Sequence, residues 1–186
     1  MCKIVYLTSR RFDDPANKFK NALAKELRKR KVEVVTDSAY DFLNYFRKHK
    51  TYGIALAFDF YRDGKEGCGL TLNKNCSSIG RDFAYNLSND LDVLTPNIRW
   101  RDLNFVRSET PEWYKFFNKI SSQTKAIFYL CTYNNSFDRN NYSIAFEKII
   151  DLFAAEIVRC LRSDYNAEDY RKRVNKVRLK INKVNK

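Results

Sequence analysis

A run of six apolar residues, Ala126-Ile127-Phe128-Tyr129-Leu130-Cys131, constrains the fold of this chain more than any other feature. It is too short for a helix and dense in aromatic and branched side chains, so it predicts a strand buried on both faces. A strand of that kind needs strands beside it and helices above and below it. It therefore points to an α/β domain. The run breaks at Asn134-Asn135-Ser136, a polar turn, and Arg139-Asn140-Asn141 reads as another. Beyond them Tyr142, Phe146, Ile149, Ile150, Phe153, Ile157 and Leu161 recur at helical spacing, the cleanest amphipathic helix in the chain.

The remainder alternates in the same way. Lys3–Thr8 and Val32–Val35 read as strands on either side of a helix over Lys18–Arg30, whose buried face carries Phe19, Ala22, Leu23 and Leu27. A second helix is expected over Asp41–Lys48, then strands at Gly53–Phe60 and Gly69–Leu72. Ser78 is placed to cap a helix burying Ile79, Phe83 and Leu87. A short strand at Leu103–Val106 and a helix carrying Trp113, Phe116, Phe117 and Ile120 complete the set. The expected architecture is a mostly parallel, twisted sheet with helices on both faces, spanning residues 1–164, followed by a separate C-terminal helix over 165–186.

Charge is distributed unevenly. Thirteen Lys/Arg and six Asp/Glu give residues 1–50 a charge of +7; ten and three give residues 158–186 another +7; twelve and thirteen leave the middle at −1. The net +13 thus sits at the two ends, which suits a polyanion or an acidic protein face, although a generally solvated lysine-rich surface is the alternative. The five cysteines (Cys2, Cys68, Cys76, Cys131, Cys160) are odd in number and form no CxxC, so free thiols in a reducing compartment are expected. No run of eighteen apolar residues and no signal-peptide core is present, and the expected location is the cytoplasm, away from any membrane.

The strand at Ala126–Asn135 resembles the last core strand of the zinc-dependent N-acetylmuramoyl-L-alanine amidases (Amidase_3 family), which reads roughly A-V-L-I-E-V-C-F-x-D-N. Lys3–Thr8 is similar to the strand K-I-V-I-D-A that precedes that family's G-H-G-G, and Lys20–Thr36 to its first helix and second strand. Thr51–Phe60 resembles the strand ending in S-I-H-A-N, and Asn97–Arg107 the segment ending in D-L-Y-V-L-R. The likeness runs over roughly residues 3–163. It implies the amidase fold, a site built from two His and one Glu around zinc, and a Glu general base on the last strand.

This sequence departs from that pattern at all four positions. The first His falls at Arg10, the helical Glu at Asn17, the second His at Phe58 and the general base at Tyr129. The chain's single histidine, His49, lies between Lys48 and Lys50, a place for a solvated cation. The expectation is therefore a vestigial site with no metal and no cofactor, in a protein that is not an enzyme and lyses no peptidoglycan. Arg10, Phe58 and Tyr129 are expected to meet at the strand ends, where an Arg beside a Tyr holds phosphate or carboxylate, unless the aromatic residues merely fill the emptied cavity. Cys131 as a nucleophile and Asp13-Asp14 or Asp90/Asp92 as a cation site are weaker candidates, because they lack an activating neighbour and a ligand cluster.

Tyr170, Val174, Val177, Ile181 and Val184 step at heptad spacing among Arg171, Lys172, Arg173, Lys176, Arg178, Lys180 and Lys183. Such a helix packs back on its own domain, pairs with a second copy as a homodimer, docks a partner, or lies on DNA or RNA. With Arg10, Arg28, Lys29 and Arg30, the residues from Arg171 to Lys180 form the expected binding set. Together these features lead to a non-catalytic, amidase-fold binding protein from a phage or mobile element. Its expected partner is nucleic acid, a nucleoprotein or an acidic protein surface, as for an inhibitor of a host defence complex of the anti-CRISPR type acting on Cas9. The competing reading is a cell-wall amidase relative, or a phosphate-handling enzyme, with a rebuilt active site.

Overall fold

The computed structural model describes residues 4–9, 14–38, 53–59, 68–72, 78–100, 104–105, 126–132 and 136–162. They form β1 (Ile4–Ser9), α1 (Asp14–Lys29), β2 (Glu33–Ser38), β3 (Gly53–Asp59), β4 (Cys68–Leu72), α2 (Ser78–Leu94), β5 (Asn104–Phe105), β6 (Ala126–Thr132) and α3 (Ser136–Leu161). The helices expected over 41–48, 113–120 and 165–186 lie outside the described residues.

One sheet runs in the order β2-β1-β3-β6-β4-β5. Strands β2, β1, β3 and β6 are mutually parallel, whereas β4 pairs antiparallel with β6 and carries β5 parallel to itself. The sequence-based expectation of an α/β fold with a mostly parallel sheet therefore holds, and β6 is the internal strand that its apolar run requires.

Alternation along the parallel strands divides their residues between two faces. Val5, Leu7, Ile54, Leu56 and Phe58 join Phe19, Leu23, Leu27, Phe83, Leu87, Phe153 and Ile157 in one continuous core beneath the helices. Helix α3 packs against both α1 and α2, so the three described helices share that face. Tyr6, Ala55 and Ala57 on the opposite face are also fully buried, so the sheet is covered there as well.

Two boundaries depart from the sequence reading. Helix α1 starts at Asp14, four residues before the expected Lys18, with Pro15 in its first turn, where a missing N–H costs nothing. Helix α3 starts at Ser136, so Arg139-Asn140-Asn141, read as a turn, is helical. Asn140 is exposed, and polar residues on a solvent face leave no apolar period by which to recognise the helix.

At its other end α1 closes in a Schellman motif. The Val32 N–H donates to the Leu27 carbonyl (3.1 Å) and the Lys31 N–H to the Arg28 carbonyl (3.0 Å), with Lys31 at φ 60°. Val32 packs against the core as it leaves the helix and leads directly into β2.

Candidate active site at the strand ends

The parallel strands β1, β3 and β6 end together at one edge of the sheet, at Ser9, Asp59 and Thr132. Helices α1 and α3 both begin within a few residues of that edge, so the positive ends of their dipoles lie toward it. Ligands in open α/β sheets bind at such an edge.

Register fixes which residues meet there. Ser9 pairs with Phe58 and Phe58 with Leu130, while Thr8 pairs with Ala57 and Ala57 with Tyr129. Phe58 and Tyr129 thus lie one residue out of step on the neighbouring strands β3 and β6, near the same edge. Cys131 pairs with Asp59 on one side and Gly69 on the other. Arg10 lies outside the described residues.

Asn17, one turn into α1, is tied to the strand end. Its Oδ1 accepts a hydrogen bond from the Ser9 Oγ at 2.6 Å and another from the Lys20 Nζ at 3.1 Å. Ser9 is buried and Asn17 half-buried, so this contact fixes the first turn of α1 against β1. One residue earlier, on the other face of β1, the buried Thr8 Oγ1 has no hydrogen-bond partner among the described residues. The sequence reading missed Ser9, Thr8 and Lys20; the signal was a strand whose apolar run ends in two hydroxyls.

Behind this polar rim lies an aromatic cluster. The Phe58 ring is 4.9 Å from Phe19 and 6.3 Å from Phe153, and Phe19 also meets Phe153 (5.3 Å), Phe146 (5.9 Å) and Tyr142 (6.4 Å). Phe58 is only 1% exposed, so it is a core residue that reaches the strand end. Burial holds the Tyr142 phenol well above its ordinary pKa, and the neighbouring Cys68 pushes in the same direction, so the hydroxyl stays protonated at neutral pH.

The expected basic residues on α1 are distributed differently. Arg28 and Lys29 are exposed and Arg30 half-buried. Arg28 donates to the Val34 carbonyl, Lys29 and Arg30 both pair with Glu26, and Arg30 also reaches Asp151 on α3. These contacts lower the Glu26 pKa, the Lys29 hydrogen bond most. Arg171, Lys172, Arg173, Lys176, Arg178 and Lys180 lie outside the described residues, as do His49 and Asp13. Asp90 and Asp92 are on α2, away from the strand-end edge. No group of three or more His, Cys, Asp and Glu side chains gathers among the described residues. None of their helices is long and apolar enough to cross a membrane.

No family model matches the chain, and no curated protein matches it in sequence. Among solved structures the architecture is that of the N-acetylmuramoyl-L-alanine amidases. The catalytic domain of the CD27L endolysin targeting Clostridia difficile superposes with a TM-score of 0.58 at 13% identity, over 84% of this chain and 97% of that one. The amidase AmiC2 of Nostoc punctiforme gives 0.52 at 11% identity, over 87% and 96%. Ami1 of Mycobacterium abscessus gives 0.54 at 10%, over 86% and 99%. Likeness at this identity establishes the fold.

These neighbours correct one expectation. The chain was read as not an enzyme because four family positions carry unsuitable side chains, yet the proteins that share its fold are amidases and an endolysin catalytic domain. Side-chain identity at a few aligned positions bears on one chemistry, whereas a fold hosts several. The phage, anti-CRISPR and nucleic-acid expectations find no support among these neighbours.

Proposed function

We propose that the protein is an enzyme of the cell-wall amidase type that cleaves an amide bond at the edge formed by β1, β3 and β6, using a rebuilt site. The observation that carries this reading is the extent of the fold: the superposition with AmiC2 covers 87% of this chain and 96% of the amidase.

The family's zinc does not fit the residues present. A chain with one histidine cannot supply two. At the corresponding positions Phe58 is packed among Phe19 and Phe153, and the Asn17 carboxamide oxygen is taken by Ser9 and Lys20. No step is therefore routed through zinc. The reaction is hydrolysis, in which water adds to the amide carbonyl as the C–N bond breaks and its proton passes to the leaving amine. The N-terminus of α3 lies at the edge where the carbonyl oxygen would sit, and the Ser9–Asn17–Lys20 contact holds the first turn of α1 against β1 beside it.

The test is incubation of the full chain with purified peptidoglycan, reading turbidity and newly exposed amino groups, with and without a chelator. The expected result is amine release that the chelator does not abolish. Release that disappears with the chelator and returns with zinc would restore the family mechanism; no release over any wall preparation would reject the enzyme reading. Asn17→Ala is expected to lower the rate at least tenfold with its melting transition retained, since misplacement by about 1 Å costs on the order of 10²-fold.

A further inference from the structure

We infer that the solvent face of α1 is a docking surface for an anionic phosphodiester polymer of the cell wall. The inference rests on the cell-wall reading above and adds a second contact to it, outside the strand-end site. At 100° per residue, Lys18, Lys25 and Lys29 fall within about 40° of one another on the helix surface, in a line about 16 Å long at 1.5 Å rise per residue. All three are exposed, and exposed Arg28 and Asn21 flank them. Of the helix's two acids, Asp14 opens the line one turn before Lys18, and Glu26 is half-buried to one side of it and engaged by Lys29 and Arg30. Lys31 is exposed just beyond the helix end.

The stripe begins beside the candidate site. Lys18 follows Asn17 directly, so a polymer lying along α1 passes the strand-end edge and keeps the enzyme on its insoluble substrate. Its residues offer ammonium groups for an anion and no surface for stacking. Lys18 lies over the half-buried Phe146 ring at 5.7 Å, but no exposed aromatic stands on this face among the described residues. Single-stranded nucleic acids are held by stacking their bases on such rings. A polymer of phosphodiesters without bases needs only the cations, and charge complementarity favours it.

The test uses the full chain and purified poly(glycerol phosphate), with a short DNA duplex and neutral dextran as comparison probes, each titrated across salt concentration. Wild type is expected to bind the polymer more tightly than the duplex and not to bind dextran. Replacing Lys18, Lys25 and Lys29 with Gln is expected to reduce the salt slope of log K by about 2, taking roughly 0.7 per cation as for single strands. The corresponding Arg triple variant should retain the wild-type slope, and Lys25→Gln alone should remove about a third of the effect. An unchanged slope in either Gln variant would overturn the assignment to α1. Tighter binding to the duplex would overturn the wall polymer as the partner. Because binding is read without turnover, polymer binding by a chain that releases no amines would reject the enzyme reading alone.

Discussion

Glu156 is the residue whose environment most clearly conflicts with its chemistry. It lies in the apolar stretch Leu152–Val158 of α3, is 3% exposed, and is paired with Arg159 on its own helix. Burial raises its pKa to about 8; Arg159 and Asn86 oppose the shift, and Asp90 on α2 adds to it. The carboxyl is therefore mostly protonated at neutral pH, while in the unfolded chain it ionises near 4.5. Stability from this group is complete below the unfolded value, falls as pH rises between the two, and changes no further above about 8. The total is about 5 kcal/mol at 1.36 kcal/mol per pH unit. Glu156→Gln mimics the protonated form, so denaturant midpoints of variant and wild type should agree near pH 4 and diverge in favour of the variant towards pH 8. Parallel curves would show that the carboxylate is ionised in the fold. A lone acid inside an apolar helix was visible in the sequence, but its partners on α2 were not, because sequence periodicity does not say which helices adjoin. The same limit explains the strand-end residues. The side-chain identities at Asn17 and Phe58 were legible, whereas the Ser9–Asn17 bond and the Phe58–Phe19 contact depend on packing between elements.

At the scale of elements, apolar periodicity located every described strand and helix because it records burial directly. It failed where burial does not alternate, at the polar first turns of α1 and α3. The end of α1 illustrates a different blindness. A left-handed cap usually announces itself as Gly, but here Lys31 holds φ 60° in the middle of a basic run. Placing a side chain in that region costs roughly 1–2 kcal/mol, part of which Gly loses again through its freer unfolded chain. Lys31→Gly is accordingly expected to stabilise the fold by about 0.5–1 kcal/mol, and to raise Tm by about 2–4 °C per kcal/mol for a chain of this size. A lower Tm would mean that the Lys31 side chain makes a contact that outweighs its backbone strain.

At the scale of the molecule, Phe58 joins the sheet to its helix layer. It ends the apolar row of β3, packs on Phe19 of α1 and Phe153 of α3, and lies directly behind the candidate site. The general fold was legible because the described strands and helices each carry their own pattern; this junction was not, since it arises only when β3, α1 and α3 meet. Phe58→Ala should destabilise the whole domain by about 3–5 kcal/mol, lowering the denaturant midpoint with little change in slope. Phe58→His is the sharper test, because it places an imidazole where the sequence likeness to the zinc amidases aligns a ligand. An imidazole among Phe19 and Phe153 leaves its ring nitrogens without partners, which costs about 1–3 kcal/mol beyond the lost ring contacts. With Asn17 still occupied by Ser9 and Lys20, the variant is expected to melt earlier than wild type and to bind no stoichiometric zinc. If it instead bound one equivalent of zinc and regained wild-type stability, the edge would be a preserved metal pocket that Phe58 merely occupies, and the metal-free chemistry proposed for it would have to be abandoned.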